Sequence, residues 1–348
     1  MKKNNLFITA MLEKIYWSIV KTDVYPYYNR FTEISNNNQV EHANNTSLKL
    51  ILNIAINNVP YYKYLYSQDM VRLIEESPYD ALLCFPIITK DILRNNSASL
   101  KNESFKTAYS VNTSGGSTGQ PVKVLQDHNY KKATLAATKI HYDWARINNS
   151  TKMIKLWGAE RDLLKGGYGL KQHVIDFLLN RKTLNAFVLS PERMLQYAKI
   201  INSYKPYVVE GYSDALYEFS KFIDSNDLDI WQPHIIVSSA GTLFPDMREK
   251  IQNVFGAKVI NRYGCREVGN IASQCSSCDE LHILELVNHV EILDDKDQNV
   301  DVGVEGNIVI TNLINQVMPI IRYNIGDIGV MSTNNYSCGL PFKKLAQV

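Results

Sequence analysis

Residues 206–260 run PYVVEGYSDALYEFSKFIDSNDLDIWQPHIIVSSAGTLFPDMREKIQNVFGAKVI, and this stretch decides the fold. Short runs rich in β-branched residues predict strands at Tyr207–Glu210, His234–Ser239 and Lys258–Ile260. Apolar residues at helical spacing predict helices between them, at Ser213–Asp224 and Pro245–Phe255. Alternating strands and helices build parallel sheets with helices on their faces, so the stretch predicts an α/β fold with a largely parallel sheet.

The alternation begins well before residue 206. Asn129–Arg146 carries Ala and Leu at helical spacing, and Met153–Trp157 predicts another strand. A further helix begins at Pro191 with Ser190 as its N-cap, because Ser accepts hydrogen bonds from the first helical turn and Pro fits its geometry. We therefore assign residues 106–269 to an α/β core.

The two flanks of this core differ from it and from each other. Residues 1–105 predict a helical N-terminal region, in which Ser47–Asn57 has apolar residues at helical spacing. After Gly269 the helical patterns stop. Strands predicted at Leu281–Leu293 and Gly306–Leu313 indicate a smaller β-rich subdomain over residues 270–348.

Length and composition narrow the class of protein. A chain of 348 residues exceeds one typical core, so two or more packed units are expected. Its 45% hydrophobic and 21% charged residues exclude wholesale disorder and a coiled coil. A net charge of +2 gives no electrostatic reason to bind nucleic acid or an anionic membrane.

The N-terminal segment and the cysteines indicate in which cellular compartment the protein is expected. Leu6–Val20 is apolar but too short and too charged to span a membrane, so it predicts an amphipathic helix and not a membrane segment. The five cysteines are odd in number and lie in a long chain, which argues against a disulfide framework. A reducing, cytoplasmic location is expected.

A glycine-rich turn follows the strand predicted at Thr107–Asn112. It comprises Thr113, Ser114, Gly115, Gly116, Ser117, Thr118, Gly119, Gln120, Pro121, Val122 and Lys123. Glycines expose backbone N–H groups, the hydroxyls add donors, and Lys123 adds a positive charge. Polyphosphate binding is the functional interpretation, since ligands of α/β proteins bind where strands end. A flexible surface loop is the alternative, because neither a Walker nor a Rossmann motif is present.

Later segments carry side chains that suit the rest of a nucleotide. Tyr263 can stack on a purine, and the carboxylate of Glu267 suits Mg²⁺. Asp327 follows a glycine turn and can accept both ribose hydroxyls, while Ala240-Gly241 ends a strand and can lie along an adenine face. Taken singly, these segments are equally typical of solvated loops and turns.

The cysteines suggest a second, independent site. Cys275 and Cys278 have the spacing of metal ligands, with His282 four residues on and Cys338 far downstream. These four residues could form a tetrahedral structural zinc site. Free thiols on a loop are the alternative, because no second Cys-x-x-Cys pair exists. Cys265 is not expected to be a nucleophile, since no histidine lies near it in the sequence.

Taken in order, the segments resemble the adenylate-forming enzyme superfamily, and within it the phenylacetate–coenzyme A ligase and CapK-type capsular polysaccharide biosynthesis family. The resemblance covers nearly the whole chain. Beyond the glycine-rich turn it rests on Asn58–Lys63, Phe85–Leu93, Leu156–Gly158, Lys205-Pro206, Gly211-Tyr212, Tyr263–Glu267 and Arg322–Asp327.

The resemblance implies a fold, a reaction and residue roles. The fold would be the large N-terminal domain of the adenylate-forming enzymes. The reaction would join a small-molecule carboxylate to AMP from ATP and then pass the acyl group to coenzyme A or another thiol. Thr118, Lys123 and Glu267 would be catalytic, with Glu267 binding Mg²⁺. The implied ATP-binding residues are Thr113, Ser114, Gly115, Gly116, Ser117, Gly119, Ala240, Gly241, Tyr263, Gly264, Arg322 and Asp327.

Two departures from the family keep alternatives open. Ala240-Gly241-Thr242-Leu243 replaces an Ala-Glu-x-Leu segment, so an acidic residue is missing. After Cys338-Gly339-Leu340-Pro341 the sequence does not continue into the family's C-terminal lid domain, which is expected to be absent or supplied by a separate chain or a second copy. The alternative to a ligase, with or without a capsule or O-antigen role, is a catalytically impaired nucleotide-binding or interaction protein.

Overall fold

The structure is a computed structural model that describes residues 15–17, 22–113, 121–148, 151–158, 170–334 and 338–348. Its contacts divide the chain into two compact units. The first unit comprises Met1–Asp23, Tyr142–Tyr263 and Gln274–Ser276, and the second comprises Val24–His141, Gly264–Ser273 and Ser277–Val348. These units cut the chain at other points than the boundaries expected near residues 105 and 269, which stay predictions. The helix expected at Leu6–Val20 lies mostly outside the described residues.

Helices occupy the N-terminal half and the segments between the parallel strands. They are α1 (Tyr25–Asn36), α2 (Val40–Asn58), α3 (Gln68–Glu76), α4 (Pro78–Leu83), α5 (Lys90–Asn95), α6 (His128–Trp144), α7 (Leu170–Leu178), α8 (Pro191–Tyr204), α9 (Ser213–Ser225) and α10 (Pro245–Phe255), with a 3₁₀ helix at Pro60–Leu65. No helix within the described ranges is both long and apolar enough to cross a membrane.

Strands dominate the C-terminal half of the chain. They are β1 (Tyr109–Thr113), β2 (Lys123–Asp127), β3 (Met153–Trp157), β4 (Arg181–Asn185), β5 (Val208–Tyr212), β6 (Ile235–Ser239), β7 (Lys258–Cys265), β8 (Gly269–Cys275), β9 (Cys278–Ile283), β10 (Asn288–Leu293), β11 (Glu305–Asn312), β12 (Tyr323–Met331) and β13 (Lys344–Gln347).

The first unit has the parallel sheet that the alternation predicts. Its strands lie in the order β4–β3–β5–β6–β7, and every pair is parallel. One face of the sheet packs on α8–α10 through buried apolar residues such as Leu216, Phe219 and Ile251. Ser190 caps α8 by accepting a hydrogen bond from the backbone of Arg193, and α10 ends at Gly256 in the left-handed conformation. These local predictions are confirmed.

The second unit carries a mostly antiparallel sheet with β9, β13, β12, β11 and β10 as successive neighbours. The single strand predicted at Leu281–Leu293 is wrong, because the chain turns at residues 284–287 and forms β9 and β10. Leu284 and Val287 in this turn are fully buried. The run of apolar residues is therefore not interrupted at the turn, and in the sequence the two strands look like one continuous strand.

Strands β1 and β2 form a separate antiparallel hairpin in the second unit. The chain passes directly from β2 into α6, and Asp127 begins this helix by accepting a hydrogen bond of 2.7 Å from the backbone N–H of Tyr130. The other carboxylate oxygen of Asp127 accepts 2.7 Å from the backbone N–H of Gln316. The buried Asp127 thereby fixes the base of the hairpin within the unit.

Candidate nucleotide-binding site

The glycine-rich turn is the loop of the β1–β2 hairpin. Thr113 and Lys123 face each other across the hairpin as its last paired residues, and the side chain of Lys123 is exposed. The residues between them that were expected to contact phosphates, Ser114, Gly115, Gly116, Ser117, Thr118 and Gly119, lie outside the described residues. The structure therefore locates the two ends of the loop, where Thr113 and Lys123 project.

Hydrogen bonds tie this hairpin to the segment that carries Glu267. The amides of Asn112 and Gln126 donate to the carbonyl oxygen of Arg266 at 3.2 and 3.1 Å. Arg266 in turn donates from Nη1 to the carbonyl oxygen of Thr113 at 3.1 Å. The glycine-rich loop and Glu267 thus belong to one hydrogen-bonded assembly, although they lie more than 140 positions apart in the sequence.

Glu267 follows β7 and is buried, with 5% of its surface exposed. Glu267 lies between two glycines whose backbones pack closely, since a Cβ at Gly264 would lie 2.5 Å from the carbonyl oxygen of Gly269. Burial, and next the nearby Glu267 carboxylate, raise the pKa of the Cys265 thiol far above its usual value. A thiol held in this protonated form is a poor nucleophile, which agrees with the expectation from sequence.

Tyr323 lies near enough to Glu267 and Asp327 to feel both carboxylates, and the sequence did not single it out. Its side chain is almost wholly buried, and its pKa is raised by burial first and then by the neighbouring groups Glu267, Cys265 and Asp327. Asp327 itself is exposed on β12. The hydroxyl of Tyr323 therefore stays protonated, and in this form it can donate a hydrogen bond. The signal in the sequence was its place inside the Arg322–Asp327 motif.

The guanidinium of Arg322, which the resemblance implies to be ATP-binding, has partners within the protein. Its buried guanidinium pairs with Glu291, with Nη2 3.2 Å from Oε1, and Nη1 donates to the carbonyl oxygens of Leu83 and Phe85. The backbone of Ile88 also bonds on both sides of Tyr323, through the carbonyl of Arg322 and the N–H of Asn324. Arg322 thus holds the β12 segment in place from within, and its side chain is committed to the protein.

The first unit holds the residues expected at the adenine. Ala240 and Gly241 directly follow β6, and Tyr263 lies half-buried near the end of β7. Ala240 has a positive φ of 55°, and the carbonyl oxygen of Gly241 accepts a hydrogen bond of 2.9 Å from Ser213. These residues lie at the carboxyl ends of neighbouring parallel strands, where α/β proteins bind ligands. Their contact with adenine stays a prediction.

The predicted zinc ligands are only partly brought together. Cys338 Sγ lies 3.2 Å from Nε2 of His282, and burial lowers the pKa of His282 to about 4, which keeps the imidazole neutral as a metal requires. Cys278 lies four residues before His282 on the same strand, about 13 Å along it, too far to share one ion. Cys275 belongs to the first unit. A four-ligand site with these residues does not form within the second unit.

The second unit therefore gathers chemistry suited to a metal-bound polyphosphate. The hairpin presents Thr113, Lys123 and the ends of a glycine-rich loop, which suit anionic oxygens. The buried Glu267 offers the hard carboxylate ligand that Mg²⁺ prefers. Asp327 offers an exposed carboxylate beside a protonated tyrosine.

The architecture matches the fold of two solved structures, so the expected fold class is confirmed. Two solved structures of 2-hydroxyisobutyryl-CoA ligase align with it at 15% identity. One is an open conformation in complex with 2-HIB-AMP and CoA, with a TM-score of 0.69 over 86% of this chain and 72% of that one. The other is a postadenylation state in complex with R3-HIB-AMP, with a TM-score of 0.70 over 89% and 66%.

Sequence comparison adds a relative from the expected branch. The chain is 23% identical over 264 residues to the protein CapK of Staphylococcus aureus, a match that takes in 70% of this chain and 52% of CapK. The chain thus spans about half the length of this curated relative. No family model matches the sequence. The expected resemblance to adenylate-forming enzymes and to CapK is confirmed.

Proposed function

We propose that the protein binds Mg·ATP and activates a small carboxylic acid as its acyl-adenylate. The observation that carries the proposal is the assembly of the β1–β2 hairpin with Arg266 and Glu267, since it unites a phosphate-binding loop with a metal-binding carboxylate. The match to CapK and the CoA ligase folds support this choice over other nucleotide chemistries.

Each described residue has a role in this proposal. Lys123 and the hairpin neutralise the β- and γ-phosphates, and Glu267 holds the Mg²⁺ that stabilises the departing pyrophosphate. Asp327 accepts hydrogen bonds from the ribose hydroxyls, and Tyr323 donates to a neighbouring oxygen. The protein supplies position and charge, and it needs no covalent intermediate of its own.

The proposal extends to the second step of the reaction, the transfer of the acyl group, and to the biological role. Transfer of the acyl group to coenzyme A accords with the CoA in the open 2-hydroxyisobutyryl-CoA ligase structure. A role in capsule or O-antigen synthesis accords with the similarity to CapK of Staphylococcus aureus. Location in the cytoplasm would supply the ATP.

Calorimetric titration with Mg·ATP tests the nucleotide site directly. We expect saturable binding that Asp327→Ala weakens at least ten-fold, because two hydrogen bonds to a charged group are lost. Asp295→Ala, in the exposed turn after β10, is the matched control and should bind as the parent does. Equal affinity in all three proteins would refute the role of Asp327.

A non-catalytic nucleotide-binding protein is the second candidate. Gly241 favours it, because this position lacks the carboxylate that the resemblance leads one to expect. Pyrophosphate release separates the two candidates. Release that depends on a carboxylic acid and on Mg·ATP supports the ligase, and binding of ATP with no release from a broad panel of acids supports the alternative.

A further inference from the structure

A layer of buried charge crosses the parallel sheet of the first unit. Lys155 on β3 pairs in register with Glu210 on β5, and Glu210 pairs with Val237 on β6. Val237 pairs with Ile260 on β7, so Arg262, two residues further along, lies on the same face as Lys155 and Glu210. Below this layer the same face is apolar, with Met153, Val208 and Ile235 among its buried residues.

Glu210 is the centre of the layer and is fully buried. It accepts 2.6 Å from Nη2 of Arg262, 2.6 Å from the hydroxyl of Tyr142, and lies 3.1 Å from Nζ of Lys155. Burial by itself would raise the pKa of Glu210, but the charges of Arg262 and Lys155 outweigh it and hold the pKa at about 2. Two cations then face one anion, and the layer keeps a net positive charge.

The unused hydrogen-bonding capacity of this layer is concentrated on Arg262. The residue is only 8% exposed, and its guanidinium carbon lies 5.7 Å from the centre of the Tyr142 ring, while Nε and Nη1 have no hydrogen-bond partner among the described residues. Buried donors without acceptors are costly, and the great majority of buried polar groups in folded proteins are paired. Lys155, by contrast, is engaged by Glu210 and by the hydroxyl of Tyr142 at 3.2 Å.

Arg262 also lies at the end of the sheet where ligands bind. It pairs in register with Ser239, the last residue of β6, so it stands at the carboxyl ends of the parallel strands. At the same end, Trp157 and Tyr212 stack with ring centroids 4.4 Å apart, and the Trp157 ring lies 5.6 Å from Nζ of Lys155. Apolar aromatic rings therefore lie close to the buried charged layer, and this combination is typical of small-molecule sites.

We propose that Arg262 is a specificity-determining residue that donates hydrogen bonds to an oxygen on the acyl part of the substrate. The preferred acids therefore carry a hydroxyl, oxo or second carboxylate group. A plain hydrocarbon chain would leave Arg262 without an acceptor and would place CH₂ groups against the charged layer. This inference rests on the proposed function, since it assigns the acyl pocket of that reaction.

Non-hydrolysable acyl-sulfamoyl adenosines are suitable probes, because they report on binding without requiring turnover. The panel pairs 2-hydroxy, 3-hydroxy and terminal-carboxylate acyl groups with their hydrocarbon isosteres, and it includes sulfamoyl adenosine without an acyl group. Calorimetric affinities are measured for the full chain and for two matched variants, Arg262→Met and Lys155→Met. Each variant removes one cation and leaves Glu210 with the other, so their structural costs are comparable.

We expect at least one oxygen-bearing probe to bind about ten-fold or more tightly than its isostere, as for a hydrogen bond to a charged donor. Arg262→Met should abolish this preference, and Lys155→Met should keep it. Both variants should bind sulfamoyl adenosine itself as the parent does. If Arg262→Met fails to fold, Arg262→Lys and the preference of the parent chain still test the inference.

The outcomes separate the two proposals. No preference for any oxygen-bearing probe, with normal binding of sulfamoyl adenosine, overturns the role of Arg262 and leaves the proposed function standing. If Arg262→Met lowers the affinity for all probes equally, the residue contributes to nucleotide binding or to folding, and the inference is again overturned. No binding of sulfamoyl adenosine to the folded parent refutes the proposed function and the inference with it.

Discussion

Arg266 donates a hydrogen bond from Nη1 to the carbonyl oxygen of Thr113 at 3.1 Å, while its own carbonyl accepts from Asn112 and Gln126 on the two strands of the hairpin. The residue beside Glu267 is therefore fastened to the base of the glycine-rich loop. Such a link keeps the ends of the glycine-rich loop at a constant distance from the segment that carries Glu267. Pre-organisation of this kind lowers the entropic cost of binding a ligand that needs both.

Arg266→Ala should weaken Mg·ATP binding while leaving stability nearly unchanged. The lost side-chain hydrogen bond to Thr113 is at the surface, so the free energy of unfolding should change by less than about 1 kcal/mol. ATP affinity should fall about five- to ten-fold, because the loop must then be ordered on binding. Calorimetry and urea unfolding measure the two effects. Arg72→Ala, at an exposed helical site, is the control, and an equal loss of affinity there would contradict the explanation.

Glu267→Gln should remove the dependence of ATP binding on Mg²⁺. The substitution preserves size and removes the charge that suits a hard cation. We expect the parent to bind ATP about ten-fold or more tightly with Mg²⁺ than with EDTA, and the variant to bind equally under both conditions. Titrations with and without the metal provide the measurement. A variant that keeps the full Mg²⁺ effect would show that the ligand lies elsewhere.

Gly264→Ala should destabilise the protein by roughly 2–4 kcal/mol, within the range of severe backbone clashes. The new Cβ would lie 2.5 Å from the carbonyl oxygen of Gly269 and 3.0 Å from the Cα of Asn270, and neither backbone atom can move cheaply. Gly241→Ala is the control, since the nearest atom to its Cβ is 3.5 Å away. Urea unfolding should separate the two variants clearly, and similar stabilities would contradict the observed packing.

Stability should fall as the pH drops from about 6.5 to about 4, in part through His289. Burial, and next the charges of Lys343 and Arg322, lower the pKa of His289 in the folded protein from 6.5 to about 4. Between these values the unfolded chain binds a proton that the folded protein does not, so unfolding becomes more favourable at lower pH.

His289→Gln should make this pH dependence shallower, because the residue that takes up the proton on unfolding is gone. His42→Gln, at an exposed position on α2, should leave the dependence unchanged. Urea unfolding at several pH values between 4 and 7 measures the slope. Parallel slopes for the parent and the His289 variant would show that His289 is protonated to the same degree in both states.

The sequence by itself determined the parallel strands β3, β5, β6 and β7 and the limits of helices α8, α9 and α10. Strand β3, helix α8 with its Ser190 cap, and helix α10 with Gly256 after it were all predictable. These features depend on hydrophobic periodicity and on residues within one or two turns of each other, which a sequence displays directly.

Tertiary structure alone decided the partners of the buried charges and the course of the buried turn. Arg322 belongs to a candidate motif, yet its guanidinium pairs with Glu291 from another strand. Arg262, which no motif singled out, shares Glu210 with Lys155 across a sheet face. Leu284 and Val287 turn the chain while fully buried. Such pairings depend on strand order and register, and desolvation determines which of them form, so neighbours in the sequence do not reveal them.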